Sequence, residues 1–184
     1  YGNTIQATIL ALVNLGFVSI NRTRKLVCGV LENEFPVSEG YISKLQKRYS
    51  KALRSFVYDV RLECLKTAIL YWDDTVVFIN TERGCMRFYG NERIALYKAH
   101  PRKNREGIDN DAILGLLSAD TTVMHDHNTI NYNDDFSFTN AECNQHLQRE
   151  LQKLHEISHH EWALQLKELI ASTIHERKCI LTQN

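Results

Sequence analysis

Residues 68–80 read AILYWDDTVVFIN. Ile69, Val76, Val77 and Ile79 are β-branched and Tyr71, Trp72 and Phe78 are aromatic, a composition that predicts a central strand. Asp73 and Asp74 interrupt it. An unpaired carboxylate buried in such a strand costs several kcal/mol, so it is tolerated only when paired, neutralised or bound to a metal. Side chains alternate across a strand, which sends Asp73 and Asp74 to opposite faces and lets at most one join a given site.

Outward from this strand, Cys85–Tyr89 and Ile94–His100 read as two shorter strands, with Gly84 and Gly90-Asn91 as turn signals, and an antiparallel arrangement follows. Asn104–Leu117 reads as a helix carrying Gly107 and Gly115, and Thr121–Met124 as a short strand that runs into His125-Asp126-His127. Asn140–Ser158 and His160–Glu176 are periodic helices, one with Leu147, Leu151 and Leu154 as its apolar side, the other with Trp162, Leu166, Leu169 and Ile170. On the N-terminal side, Thr4–Leu15 and residues 20–32 are helical, and Pro36 stops the second. Ser38 is a good N-cap for a helix from Glu39 to Leu65. The order predicts a mixed α/β (α+β) fold, a mixed sheet flanked by helices and preceded by an all-helical segment. The expected divisions are residues 1–66, 67–139 and 140–184.

Asp126 stands at the end of a short strand, as Asp73 stands within a long one. If the two strands are neighbours, their carboxylates converge on hard divalent cations, which prefer oxygen ligands. Taken singly, Asp73 is an edge residue and Asp126 a turn former beside Asn128. Taken together on this strand order, they predict a Mg²⁺ site, with Mn²⁺ as a substitute. Adjacent strand residues point apart, so His125-Asp126-His127 does not wrap one tetrahedral zinc, and His125 or His127 reads as a surface turn residue. Cys143 and His146 lie one turn apart on a helix, either two ligands short of a zinc site or simply packing. His155 and His159 share a helix face with no acid in register.

The chain has 184 residues, the size of one domain or one with an appendage, with 22 Lys+Arg against 22 Asp+Glu. The balance hides an asymmetry: residues 1–66 hold ten basic and five acidic residues, net +5, and the remainder 12 and 17, net −5. Lys44, Lys47, Arg48, Lys51 and Arg54 form a stripe nearly opposite Ile42, Leu45, Tyr49, Leu53 and Phe56. A helix-turn-helix reading puts the Ser38-capped helix on DNA, with Glu39, Tyr41, Ser43 and Lys44 near base edges and the basic stripe on phosphates. A solvated amphipathic helix is the plain alternative. The longest apolar run, Ala68–Trp72, is far below the ~20 residues of a membrane span. Five dispersed cysteines without a C-x-x-C pair fit free thiols in a reducing cytoplasm. Tyr1 in place of an initiator methionine, with a helical pattern still running near Asn184, suggests a segment of a longer protein.

In this order the motifs resemble bacterial insertion-sequence transposases of the insertion sequence sixty-six family. The resemblance rests on Pro36-Val37-Ser38-Glu39-Gly40-Tyr41-Ile42, on Tyr71-Trp72-Asp73-Asp74-Thr75 where the family has Asp-Glu-Thr, on Val123-Met124-His125-Asp126-His127, on Cys143-Asn144-Gln145-His146 through Arg149-Glu150-Leu151, and on Trp162-Ala163. It implies an RNase H-like catalytic core of the DDE type, with Asp73 and Asp126 as the first two catalytic, metal-holding acids. Cys143, His146 and Arg149 form a supporting motif by this resemblance. It further implies Mg²⁺-dependent cleavage at transposon ends and strand transfer into target DNA, in a bacterial cytoplasm, with DNA as partner, no membrane contact and a homodimer to be considered. Residues 140–184 then begin a helical insertion, and the third acid is expected beyond Asn184, leaving this segment catalytically incomplete. Two departures stand out: Asp74 replaces the usual Glu, and His127-Asn128 replaces Gly and an aromatic. The alternatives are a non-catalytic DNA-binding module and another RNase H-like nuclease.

Overall fold

The computed structural model describes residues 1–32 and 36–182 and divides into two units, Tyr1–Tyr58 and Asp59–Asn184. The first contains α1 (Asn3–Asn14), α2 (Ile20–Val30), α3 (Glu39–Ala52) and the start of α4 (Arg54–Cys64). Ile9, Val27, Cys28, Val37, Ile42 and Leu45 form its core. The Ser19 hydroxyl accepts from the Arg22 N–H, and Ser38 from the Tyr41 N–H at 3.1 Å, so both later helices start on a side-chain cap. The turn expected around Pro36 falls partly on residues 33–35, which lie outside the described residues, as do the last two of the expected C-terminal helical run.

The single helix expected from Glu39 to Leu65 is two. Leu53 departs from helical backbone (φ −83°, ψ 1°). The apolar residues on either side serve different cores: Ile42 and Leu45 belong to the helical unit, Val60 and Cys64 to the sheet unit. Tyr49 and Phe56, expected on the buried side, are exposed.

The second unit contains β1 (Ile69–Ile79), β2 (Glu82–Gly90), β3 (Ala95–His100), α5 (Arg105–Asp111), β4 (Thr122–His125), β5 (Thr139–Glu142), α6 (Asn144–Ser158) and α7 (Glu161–Thr182). The sheet runs β3-β2-β1-β4-β5. Its first three strands form an antiparallel meander, and β4 and β5 continue parallel to β1. The fold is a five-stranded mixed sheet with helices, seven α-helices across the described residues. Leu70, Trp72, Tyr89, Leu96, Ile108, Ile113, Leu114 and Val123 form the core under one face.

Several boundaries differ from the sequence expectation for physical reasons. The β1–β2 hairpin turns at Asn80-Thr81, both at positive φ (49° and 69°), and Gly84 lies inside β2. Asn tolerates that region, whereas a β-branched Thr enters it under strain. Gly90 is required: a Cβ there would run into the Ile94 carbonyl oxygen across the β2–β3 turn. The helix expected over Asn104–Leu117 is capped by Asn104 and ends at Asp111, because Ala112 adopts the left-handed conformation (φ 52°). Residues 140–142, expected to open a helix, belong to β5 instead; a strand of four residues is too short to show a period. On α7, Trp162, Leu166 and Leu169 are exposed, so the apolar side expected of that helix is largely uncovered. No helix among the described residues is long and apolar enough to cross a membrane, and all five cysteines are free thiols.

Candidate active site

Strand β4 pairs with β1 in the register Ile69↔Thr122, Leu70↔Val123, Tyr71↔Met124. Continued two residues past its last pair, this register sets Asp73 opposite Asp126, which directly follows the end of β4. Paired residues of a parallel ladder share a face. Burial agrees: Leu70, Trp72, Val123 and His125 are buried on the core side, while Ile69, Tyr71 and Asp73 lie on the more open side. Alternation carried past His125 assigns Asp126 to the same side as Asp73, and both acids are half-buried. Asp73 Oδ1 accepts from the Asp74 backbone N–H at 2.8 Å. Asp126 accepts from the Asn131 side-chain amide, 2.5 Å to its Oδ1 and 3.2 Å to its carbonyl.

Asp74 turns the other way, into an ionic cluster centred on a buried arginine. Arg87 donates through Nε to Asp74 at 2.8 Å and through Nη1 to Asp111 at 2.9 Å, and all three side chains are 3% exposed or less. Tyr89 donates to Asp111 at 3.0 Å, and His100 Nε2 lies 2.9 Å from the same carboxylate. Lys103 Nζ is 3.5 Å from Asp74. The Cys85 thiol donates to Asp74 at 3.3 Å, and burial, reinforced by that carboxylate, pushes it up to about 11. Burial and then the Asp111 charge push the Tyr89 phenol far upward. Burial works against the Arg87 guanidinium, but Tyr89, Asp111 and Asp74 outweigh it and raise its pKa.

His125, expected as a surface turn residue, is 1% exposed. Its Nε2 lies 2.8 Å from Asn140 Oδ1 and its Nδ1 2.7 Å from the Asp126 carbonyl, and its ring meets Trp72 edge-on. The last residue of a short parallel strand flanked on both sides is interior, which is why the surface reading fails. His127 is exposed and pairs with Glu142 at 2.7 Å, and the Tyr132 hydroxyl donates to the same carboxylate. The hydrogen bond and charge of Glu142 raise the His127 pKa. Burial pushes Glu142 up, but the bonds from Tyr132 and His127 prevail and hold it below its usual range. Burial, with Glu142, pushes Tyr132 up to about 12.

Strand β5 lies beside β4 in the register His125↔Glu142, and Cys143 N–H donates to the His125 carbonyl at 2.8 Å, so Cys143 follows at the level of Asp126. His146 sits one turn along α6, its N–H donating to the Cys143 carbonyl; its Nδ1 is buried with no partner among the described residues. Arg149 bonds back to the Gln145 carbonyl and is exposed. Among the described residues no group of three or more His, Cys, Asp and Glu side chains is gathered as a metal cage. Two carboxylates on one face are hard oxygen donors that suit a divalent cation such as Mg²⁺ and supply part of its ligand set.

In the helical unit, Lys44, Lys47, Arg48 and Lys51 are exposed on α3, and Arg48 donates to Gln6 of α1. Arg54 lies beyond the break at Leu53, on α4, so it does not continue the α3 stripe.

The sequence reading did not single out Arg87, Asp111, His100, Asn131 or Glu142. One signal was available: Cys85, Arg87 and Tyr89 alternate onto one face, and a charged residue between two such positions marks a buried ion pair. Asp111 lies 24 residues from Arg87, and Asn131 ends a single 3₁₀ turn (Thr129–Asn131), where spacing carries no information.

A helical unit followed by a five-stranded mixed sheet with helices defines a mixed α/β protein. The chain belongs to the Transposase IS66 family, whose model matches residues 1–183. Transposases act on DNA. No curated protein and no solved structure matches the chain in the same comparisons.

Proposed function

We propose that the sheet unit is the first part of an RNase H-like, DDE-type transposase core, with Asp73 and Asp126 as its first two acids. The observation that supports this is the parallel β1–β4 register, whose continuation by two residues sets Asp73 opposite Asp126. The strand order supports it as well: a three-stranded meander, then two strands parallel to the first, with the strand of the first acid in the centre. Asp73 and Asp126 hold the divalent cation, Mg²⁺ or Mn²⁺. When bound, the cation activates the attacking water or hydroxyl and stabilises the leaving oxygen of a phosphodiester.

The chain's own residues set up the site. Asn131 fixes the side chain of Asp126, and the Asp74 N–H orients Asp73. Cys143, His146 and Arg149 support the end of β5 from the start of α6. The helical residues 1–66 contact DNA, with Lys44, Lys47, Arg48 and Lys51 on phosphates and Arg54 from the following helix. Residues 67–139 carry the two acids, and residues 140–184 open the helical insertion.

The test is Mn²⁺ binding, followed by electron paramagnetic resonance. Asp73→Asn and Asp126→Asn should each weaken binding while the exposed control Asp134→Asn leaves it intact. Equal binding by all four proteins would remove the catalytic assignment.

A further inference from the structure

On the side of β1 opposite Asp73, a cavity of about 440 Å³ opens between β1, β2 and the segment after β3, lined by Asp74, Arg83, Cys85, Arg102, Lys103 and Asn128 among others. The acid on its wall is already compensated. Asp74 accepts from Arg87 at 2.8 Å and from the Cys85 thiol at 3.3 Å, and lies 3.5 Å from Lys103. Arg83 and Arg102 have no acid partner among the described residues and are exposed. The cavity is thus a concave surface with a surplus of guanidinium charge. Such a cleft focuses potential and draws anions, and arginine forks match phosphate oxygens two at a time.

Its place in the chain adds the second part of the argument. Asp74 follows Asp73 directly, and Asn128 comes two residues after Asp126. The cavity therefore lies across the sheet from Asp73, on the face to which Asp74 turns. It also adjoins a second cavity of about 330 Å³ that shares Arg83, Gly84 and Pro101, reaches His100, and ends at Glu82. Two contiguous cavities form a groove, and a groove suits a polymer of phosphates better than one small anion.

We propose that this groove binds the phosphodiester backbone of a DNA strand, with Arg83 and Arg102 on its phosphates and Asn128 as a neutral donor. The inference rests on the reading of the chain as a protein that acts on DNA, and not on the assignment of Asp73 and Asp126. It adds a contact surface on the sheet unit, separate from the basic helix α3.

The experiment measures oligonucleotide binding to the full chain by fluorescence anisotropy across a salt series. Arg83→Gln/Arg102→Gln is compared with a control of equal charge change, Arg93→Gln/Arg177→Gln. Losing two phosphate contacts should lower the slope of log K against log salt by roughly 1.4 for a single strand or 1.8 for a duplex. The control should keep the parent slope. Equal slopes for parent and groove variant overturn the proposal, as does a chain that binds no DNA. If inorganic phosphate at constant ionic strength stabilises the parent more than the variant while the slopes agree, the groove takes free anions and the DNA assignment fails. Should the double variant not fold, Arg102→Gln alone must give about half the change in slope. Mn²⁺ binding separates the two readings: a groove slope change alongside Mn²⁺ binding that ignores Asp73→Asn retires the catalytic assignment and leaves the groove, and the reverse retires the groove alone.

Discussion

Asn131 donates its side-chain amide to Asp126 at both the carboxylate, 2.5 Å away, and the carbonyl, 3.2 Å away, from a side chain itself almost wholly buried. One amide thus ties a loop residue to an acid at the end of β4. Groups that orient a metal-holding carboxylate are worth roughly 10–100-fold in metal affinity. Asn131→Ala should weaken Mn²⁺ binding by a factor in that range, read by titration, while costing about 1 kcal/mol in folding stability for the lost bond. Unchanged metal affinity would leave Asn131 with a purely structural task.

Arg87 is the sole guanidinium among the fully buried side chains described, and it is held between two carboxylates. Arg87→Met should destabilise the sheet unit by about 3–5 kcal/mol, because Asp74 and Asp111 lose the buried guanidinium held between them, and Lys103, 3.5 Å from Asp74, does not reach both. Urea unfolding followed by tryptophan fluorescence reads this directly, since Trp72 lies in the same core. A loss below about 1 kcal/mol would mean that water reaches the cluster.

The His127–Glu142 pair should respond to pH in a bounded window. The His127 pKa is raised in the fold, so its contribution is complete below the unfolded value and is lost as pH climbs through the folded one. The Glu142 pKa is lowered, so its contribution is present above the unfolded value and is lost as pH falls through the folded one. The pair is intact between those two folded-state values. Nuclear magnetic resonance of the imidazole should find His127 titrating above an ordinary histidine, and Glu142→Gln should return it downward. A His127 titration indifferent to that substitution would contradict the pairing.

Thiol chemistry should distinguish the cysteines. Cys85 is buried and its thiol is pushed up to about 11, so it stays protonated and unreactive at pH 8. Cys179 is exposed on α7. Brief alkylation of the native chain, mapped by mass spectrometry, should label Cys179 first and leave Cys28, Cys64 and Cys85 unmodified until denaturant is added. Early labelling of Cys85 would show the groove wall opening in solution.

Much of this architecture is written in local patterns. The strand around Asp73 is legible because β-branched and aromatic residues cluster there, and Ser38 and Asn104 cap helices as short polar residues do. The opposite facing of Asp73 and Asp74 follows from strand alternation alone. What escaped the reading depends on three-dimensional proximity. Strand β5 is too short for a period, and its pairing with β4 is a long-range fact. His125 looked like a turn residue because its chain neighbours are polar, although its spatial neighbours are Trp72 and Asn140. The cluster around Arg87 joins residues from three strands and the end of α5, and no single window of sequence contains it.

The way β1 separates its two adjacent aspartates bears on how mutagenesis here is interpreted. Asparagine at position 73 touches a surface-facing carboxylate, whereas the same change one residue later strips an internal salt from the scaffold. Weaker Mn²⁺ binding in D74N would thus report a loosened scaffold, and solubility and melting data alongside it separate that from a lost metal ligand.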